Sequence, residues 1–161
     1  MKIGIVADSH ENMNLIDKAC EIMRGRSVEV IFHAGDIISP IALRHFKNCG
    51  CLMIAVFGNN DGEKLFLQEN IKSFGNIFSG IYEGELAGKK IIMMHEPKAI
   101  DSIASSGNYD LIIYGHTHEI DIRKVGNSLI INPGELCGYL KGKRTFVIME
   151  LPSMEYELIE L

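Results

Sequence analysis

The chain has 161 residues, enough to bury one core of ordinary size, so a single domain over residues 1–161 is expected. With 47% hydrophobic and 23% charged residues it has the composition of a folded globular protein, which excludes the disordered and fibrous classes. A formal net charge of -5 argues against a surface built to neutralise extended nucleic acid or an anionic membrane.

Met1 leads into the apolar run Lys2-Ile3-Gly4-Ile5-Val6-Ala7, which is too short for a signal-peptide core and has no small-residue cleavage site behind it; it reads as a first strand over 2–7. Leu15, Ile16, Ala19, Cys20, Ile22 and Met23 then recur at helical spacing, with Asn12 or Asn14 placed to cap the start, and predict an amphipathic helix. Strands follow at 28–32, 52–57, 90–94 and 110–114, with weaker helices near 40–48, 63–72 and 98–106. Strand and helix alternate as in βα units around a mostly parallel sheet. From residue 120 the pattern changes to short strands at 120–125, 128–132, 145–150 and 156–160 between Gly, Asn and Pro turns, which reads as an antiparallel set. Together these predict two sheets packed face to face with helices outside. No apolar stretch approaches the roughly eighteen residues that span a bilayer. Cys20, Cys49, Cys51 and Cys137 lack zinc-ribbon spacing, so reduced thiols in a cytoplasmic protein are expected.

The chemistry-bearing residues crowd just after the apolar strands. Asp8-Ser9-His10, Gly35-Asp36, Gly58-Asn59-Asn60-Asp61, His95-Glu96, Gly115-His116-Thr117-His118 and Asn132-Pro133-Gly134-Glu135 each close such a run. In open α/β sheets ligands bind outside the carboxyl ends of the strands, where loops distant in sequence converge. Pooled there, Asp8, His10, Asp36, Asn59, His95, His116 and His118 offer seven imidazole and oxygen donors. That is too many for one tetrahedral ion and suits two ions of intermediate hardness, Mn²⁺, Fe or Zn²⁺, with a carboxylate such as Asp36 as bridge. Each piece alone reads as an ordinary polar turn; the joint placement points to metal. His33 and His45 lack partner spacing and stay outside the set.

In this order the motifs resemble those of the calcineurin-like metallophosphoesterases, D-x-H, G-D, G-N-H-[DE], H and G-H-x-H, over almost the whole chain. The short length and Asn132-Pro133-Gly134 are similar to the small YfcE-like phosphodiesterase branch, whose fold is shared by a retromer scaffold subunit. The resemblance implies a four-layer αββα sandwich in which Asp8, His10, Asp36 and His118 hold one ion and Asp36, Asn59, His95 and His116 hold the other. It implies hydrolysis of phosphodiesters by a dimetal-bound water or hydroxide attacking phosphorus in line, with Mn²⁺, Ni²⁺, Zn²⁺ or Fe as the metal and Mn²⁺ the first choice. Asp36, Asn59 and Asn60 are the candidate catalytic residues. Asn60 stands where the family has histidine and lacks a proton of suitable pKa, which predicts a preference for aryl or otherwise activated diesters. Glu96 stands where the family usually has glycine, and would either narrow the substrate's approach or point to solvent. Cys137 is read as structural.

The alternatives are a non-catalytic protein-binding scaffold of the same fold, a cyclic-nucleotide phosphodiesterase or a phosphomonoesterase. The complete ligand set argues against the scaffold, and the acidic balance against a nuclease. The partner expected is a small phosphodiester, without membrane or extended nucleic acid; exposed strand edges and apolar surface are compatible with a homodimer or higher homo-oligomer.

Overall fold

The computed structural model describes residues 1–161 and builds two sheets. The first runs through β1 (Lys2–Val6), β2 (Val30–His33), β3 (Leu52–Val56) and β4 (Gly75–Phe78), all parallel, with α1 (Met13–Gly25), α2 (Pro40–Lys47) and α3 (Lys64–Ile71) as the crossovers. The second begins with the antiparallel pair β5 (Ile81–Leu86) and β6 (Lys89–Met94) and continues through α4 (Ile100–Ser105), β7 (Leu111–Ile113), β8 (Ile120–Val125) and β9 (Ser128–Pro133). The chain then returns to the first sheet with β10 (Thr145–Glu150) and β11 (Glu155–Glu160). The strand orders are β11-β10-β1-β2-β3-β4 and β5-β6-β7-β9-β8.

Side-chain alternation explains the layers. On β1, Ile3 and Ile5 point to one face and Val6 to the other, as the two-residue period of a strand requires. Ile3, Ile5 and Phe32 meet Met93, Ile113 and Ile131 from the second sheet in a core of 16 buried residues between the sheets. Val6, Ile31 and Met53, on the opposite face, pack against Ile16, Met23, Leu43 and Leu67 of the three helices in a cluster of 22. Ile92, Ile112 and Ile130 face Ile100 and Ala104 of α4. The result is helices, sheet, sheet, helix. Burial on both faces is why the parallel strands read as continuous apolar runs rather than as alternating ones.

Local signals place the helix starts. Asn12 caps α1 by accepting from the Leu15 N–H, and Ser39 caps α2 by accepting from the Ala42 N–H just ahead of Pro40. Three features differ from the sequence reading. The strands after residue 120 do not form one antiparallel set: β8 and β9 are a hairpin of the second sheet, where β9 runs parallel to β7, whereas β10 and β11 join the first sheet with β10 antiparallel to β1. Strand periodicity fixes which face is buried but not which neighbour is paired. The strands β4 and β5, where the chain passes from one sheet to the other, were not expected, because their half-exposed side chains leave no apolar run.

The expectation of four reduced thiols is also corrected: Cys20 on α1 and Cys49 just after α2 form a disulfide across 29 residues, while Cys51 and Cys137 are free. Packing of α1 on α2 brings the two thiols together, a non-local consequence that their spacing does not show. No helix is long and apolar enough to cross a membrane.

Candidate metal centre

The segments following β1, β2, β3, β6 and β7 converge at the carboxyl edges of both sheets and are stitched together by main-chain hydrogen bonds. The Asp8 N–H donates to the Gly35 carbonyl (3.1 Å), the His10 N–H to the Asp36 carbonyl (2.9 Å), and the Gly115 N–H to the His95 carbonyl (3.0 Å). Asp8, His10, Asp36 and Asn59 come from the first sheet; His95, His116 and His118 come from the second. Asp8, Asp36, His95 and His118 form a buried floor, His10 is half-buried, and Asn59, Asn60 and His116 stand exposed at the rim, so the cluster opens to solvent on one side.

The backbone there is held in a costly conformation. Asp8, His10, Asp36, His116 and His118 all have positive φ, between 44° and 69°, a region that L-residues rarely adopt and that persists only where the surroundings enforce it. The glycines of the motifs make room. A Cβ on Gly58 would lie 2.1 Å from Asp36 Oδ1, and one on Gly35, itself at φ +93°, would lie 2.7 Å from His95 Nδ1. Asp61 accepts from the N–H groups of Ile38 (2.6 Å), Gly58 (2.7 Å) and Asp36 (3.2 Å), tying the two glycine loops together.

The donors fall into two halves, each containing an imidazole pair. One ligand atom from each of Asp8, His10, Asp36 and His118 lies within 4.8 Å of every other, with the rings of His10 and His118 stacked at 5.5 Å. In the other half the rings of His95 and His116 lie 5.1 Å apart, and both His95 Nε2 and His116 Nδ1 approach Asn59 Oδ1 at 2.8 Å. Asp36 Oδ2 joins the halves, 3.9 Å from His10 Nε2 and 3.5 Å from His95 Nε2.

Two observations test whether this cluster suits cations. Asp8 Oδ1 is fully buried with no hydrogen-bond donor, although Oδ2 accepts from the His116 N–H at 2.9 Å. A buried acceptor left unpaired costs about 1–3 kcal/mol, so the position calls for a positive partner. His95 Nδ1 faces the Ala34 carbonyl at 2.7 Å and must carry the ring hydrogen, which leaves an Nε2 lone pair facing the Asn59 carbonyl oxygen, two acceptors with nothing between them. Burial lowers the pKa of His95 and of His10, so a proton does not resolve the conflict. Burial, reinforced by Asp36, pushes Asp8 up to about 8. The residues present therefore fit a divalent cation among Asp8, His10, Asp36 and His118, and the facing acceptors of His95 and Asn59 call for positive charge in the other half.

The supporting shell lies partly outside what the sequence suggested. Glu135 is buried and accepts from His118 Nδ1 at 2.6 Å and from the N–H groups of Lys141 (2.6 Å), Leu140 (3.0 Å) and Gly142 (3.1 Å). Burial would raise its carboxyl pKa, but His118 and the Leu140 and Lys141 N–H groups outweigh that and hold it below the usual carboxylate range. Its only signal was its place at the end of a strand run. Asn132 donates to the Gly115 carbonyl (3.1 Å) and Thr117 Oγ1 (2.9 Å), bracing the His116–His118 loop from within. His33 is buried; burial, then His95, lowers its pKa to about 3, so it accepts from the Gly35 N–H (3.2 Å) and pairs with Ser9 Oγ (2.9 Å). His45 pairs with Asp17 on the helical surface, away from the cluster. Cys137 Sγ lies near His10 and His118, but burial and Glu135 push its pKa to about 12, so it remains a thiol. Glu96 lies at the rim, 3.4 Å from Lys98.

Comparison with known proteins identifies the family and the fold. Residues 1–154 match the model of the calcineurin-like phosphoesterase superfamily domain. Phosphodiesterase MJ0936 of Methanocaldococcus jannaschii is 39% identical over 165 aligned positions, covering 100% of this chain and 99% of that one. A solved archaeal phosphodiesterase superposes with a TM-score of 0.94 at 38% identity over 100% of both chains. The E. coli phosphoesterase YfcE, at 16% identity and a TM-score of 0.66 over 99% of this chain and 98% of its own, shares the fold.

Proposed function

Since the chain belongs to the calcineurin-like phosphoesterase superfamily, whose members hydrolyse phosphate esters, we propose that it is a phosphodiesterase acting on small diesters through a two-metal centre, within one catalytic domain over residues 1–161. The observation that carries this reading is the position of Asp36 Oδ2 between two imidazole-bearing halves, one holding the unpaired Asp8 Oδ1 and the other the facing acceptors of His95 and Asn59. Asp8, His10, Asp36 and His118 would hold one divalent ion, and Asp36, Asn59, His95 and His116 the other. Mn²⁺ is the first choice, because the set mixes imidazole with carboxylate and amide oxygen. Bound there, the ions supply positive charge for the phosphoryl oxygens and a nucleophile at neutral pH.

The chain's own residues do the rest. The Glu135 carboxylate holds the ring hydrogen of His118 on Nδ1, and the Ala34 carbonyl does the same for His95, so both Nε2 lone pairs face inward. Asn60 donates to both Asp36 oxygens, through its N–H to Oδ1 and its Nδ2 to Oδ2, each at 2.8 Å, and so orients the central carboxylate. An amide has no proton of suitable pKa to give a departing alkoxide, so Asn60 does not protonate the leaving oxygen. Aryl and otherwise activated diesters are therefore preferred.

The test is a panel of Mn²⁺, Ni²⁺, Zn²⁺ and Mg²⁺ against aryl diesters, cyclic nucleotides and monoesters on metal-stripped protein, with Asp36→Asn as control. Metal-dependent diester turnover that the substitution reduces by at least about 10³-fold is expected. Equal activity of Asp36→Asn and parent would reject the bridging role.

A further inference from the structure

Two hollows adjoin the candidate centre, one in each half. A cleft of about 460 Å³ starts at Asn59 and His95 and is walled by Phe57, Ile81 and Met94, with Lys64 and Lys98 along it. A shallower groove of about 440 Å³ starts at His10 and Asn60 and runs between Glu11, Ile38 and Tyr139. A monoester has a single organic arm and would leave one hollow idle. A diester has two arms diverging from one phosphorus and would use both.

The hollows differ in charge. The groove contains Glu11 and no lysine or arginine. In the cleft, Glu96 is matched by Lys98 at 3.4 Å, which leaves Lys64 uncompensated; the lysines in ion pairs are Lys72, Lys89, Lys98 and Lys141. The Lys64 ammonium sits 5.3 Å above the Phe57 ring, so its charge is placed over the apolar wall. Buried Phe57 and Met94 and the exposed side chain of Ile81 offer apolar contact to the body of an arm.

Resting on the phosphodiesterase reading above, we propose that the cleft beside His95 is the subsite for the retained arm of the diester. It selects an arm with an apolar or aromatic body and a second anionic group, as in a nucleotide bearing a further phosphate. The uncharged leaving arm lies in the groove of Asn60 and Tyr139. Glu96, where a glycine was expected, then serves to hold Lys98 at the wall rather than to block the substrate.

The experiment compares two substrates on Mn²⁺-loaded protein: the 5′-(p-nitrophenyl phosphate) of deoxythymidine, with and without a 3′-phosphate. The extra phosphate is expected to lower KM about fivefold, the size of a favourable exposed charge contact, with kcat little changed. In the Lys64→Ala/Lys98→Ala protein the ratio of the two KM values falls toward one, and Lys64→Arg retains it. No preference in the parent, or a preference that survives the double substitution, overturns the proposal. Binding of deoxythymidine 3′,5′-bisphosphate, followed by calorimetry, separates the two readings. Loss of affinity in the double variant supports the subsite even if no diester is turned over, and equal affinity rejects it even if turnover is rapid.

Discussion

Replacing Glu135 separates two jobs that one carboxylate performs. Its oxygens accept from His118 Nδ1 and from three consecutive N–H groups, those of Leu140, Lys141 and Gly142. In Glu135→Ala these four donors lose their acceptor, as does the Cys137 thiol at 3.5 Å. At about 1 kcal/mol net each, with water reaching the outer part of the loop, the loss of stability is about 3 kcal/mol. In Glu135→Gln the amide oxygen can still serve the loop, but the –NH₂ now faces His118 Nδ1, and only a ring with its hydrogen moved to Nε2 can accept from it. That tautomer turns an N–H toward Asp8 and His10 where a lone pair is needed. Stability should then fall by about 1 kcal/mol only, the difference between a charged and a neutral acceptor, while affinity for the ion of that half falls about 10–100-fold. Urea unfolding of the metal-free proteins reads the first quantity, Mn²⁺ titration calorimetry the second, and imidazole ¹⁵N shifts report the tautomer directly. A Gln variant that binds Mn²⁺ as tightly as the parent would refute the reasoning, as would one that loses as much stability as the Ala variant.

The raised pKa of Asp8, about 8 in the metal-free protein, has a definite sign. A carboxyl whose folded pKa exceeds its unfolded one costs stability as pH rises between the two, so metal-free protein loses this contribution from about pH 4 to pH 8, whereas an ion needs the ionised form. The gap in Tm between Mn²⁺-loaded and metal-free protein should therefore widen from about pH 6 to pH 8, and binding near pH 7 should release close to one proton, measured by calorimetry in buffers of different ionisation enthalpy. Asn60→His should flatten the dependence of kcat on leaving-group pKa, with alkyl diesters gaining about 10²-fold and aryl diesters little. Reducing Cys20–Cys49 should lower unfolding free energy by about 3.6 kcal/mol, read from the urea midpoint with and without dithiothreitol, for a loop of 29 residues.

The sequence carried the layers and the cluster because both are written locally. Apolar runs such as Lys2–Val6 announce strands buried on both faces, and Asp8, Asp36, His95 and His116 announce themselves as polar residues abruptly ending such runs. What it did not carry is pairing between distant segments. Nothing in 145–150 tells that it pairs beside Lys2–Val6 rather than beside 128–132, since either arrangement buries the same face. Glu135 reads as a turn residue until the loop at 140–142 folds back over it. Cys49-Gly50-Cys51 invites a local reading, whereas the bond joins Cys49 to a helix 29 residues earlier. Asn60 was legible as a departure, but its bonds to both Asp36 oxygens were not, because they depend on the collapsed geometry of two glycine loops.

The division of the donors between the sheets, four from one and three from the other, turns the cluster into a clasp on the seam of the sandwich. Cations seated there would tie the carboxyl ends of both layers together, so that these margins gain rigidity on loading more than the opposite ones, which hold none of the donors. Amide exchange should then slow most in the segments after β1, β2, β6 and β7, where the ions would add to the hydrogen bonds from His95 to the Ala34 carbonyl and from the His116 N–H to Asp8 that already span the seam.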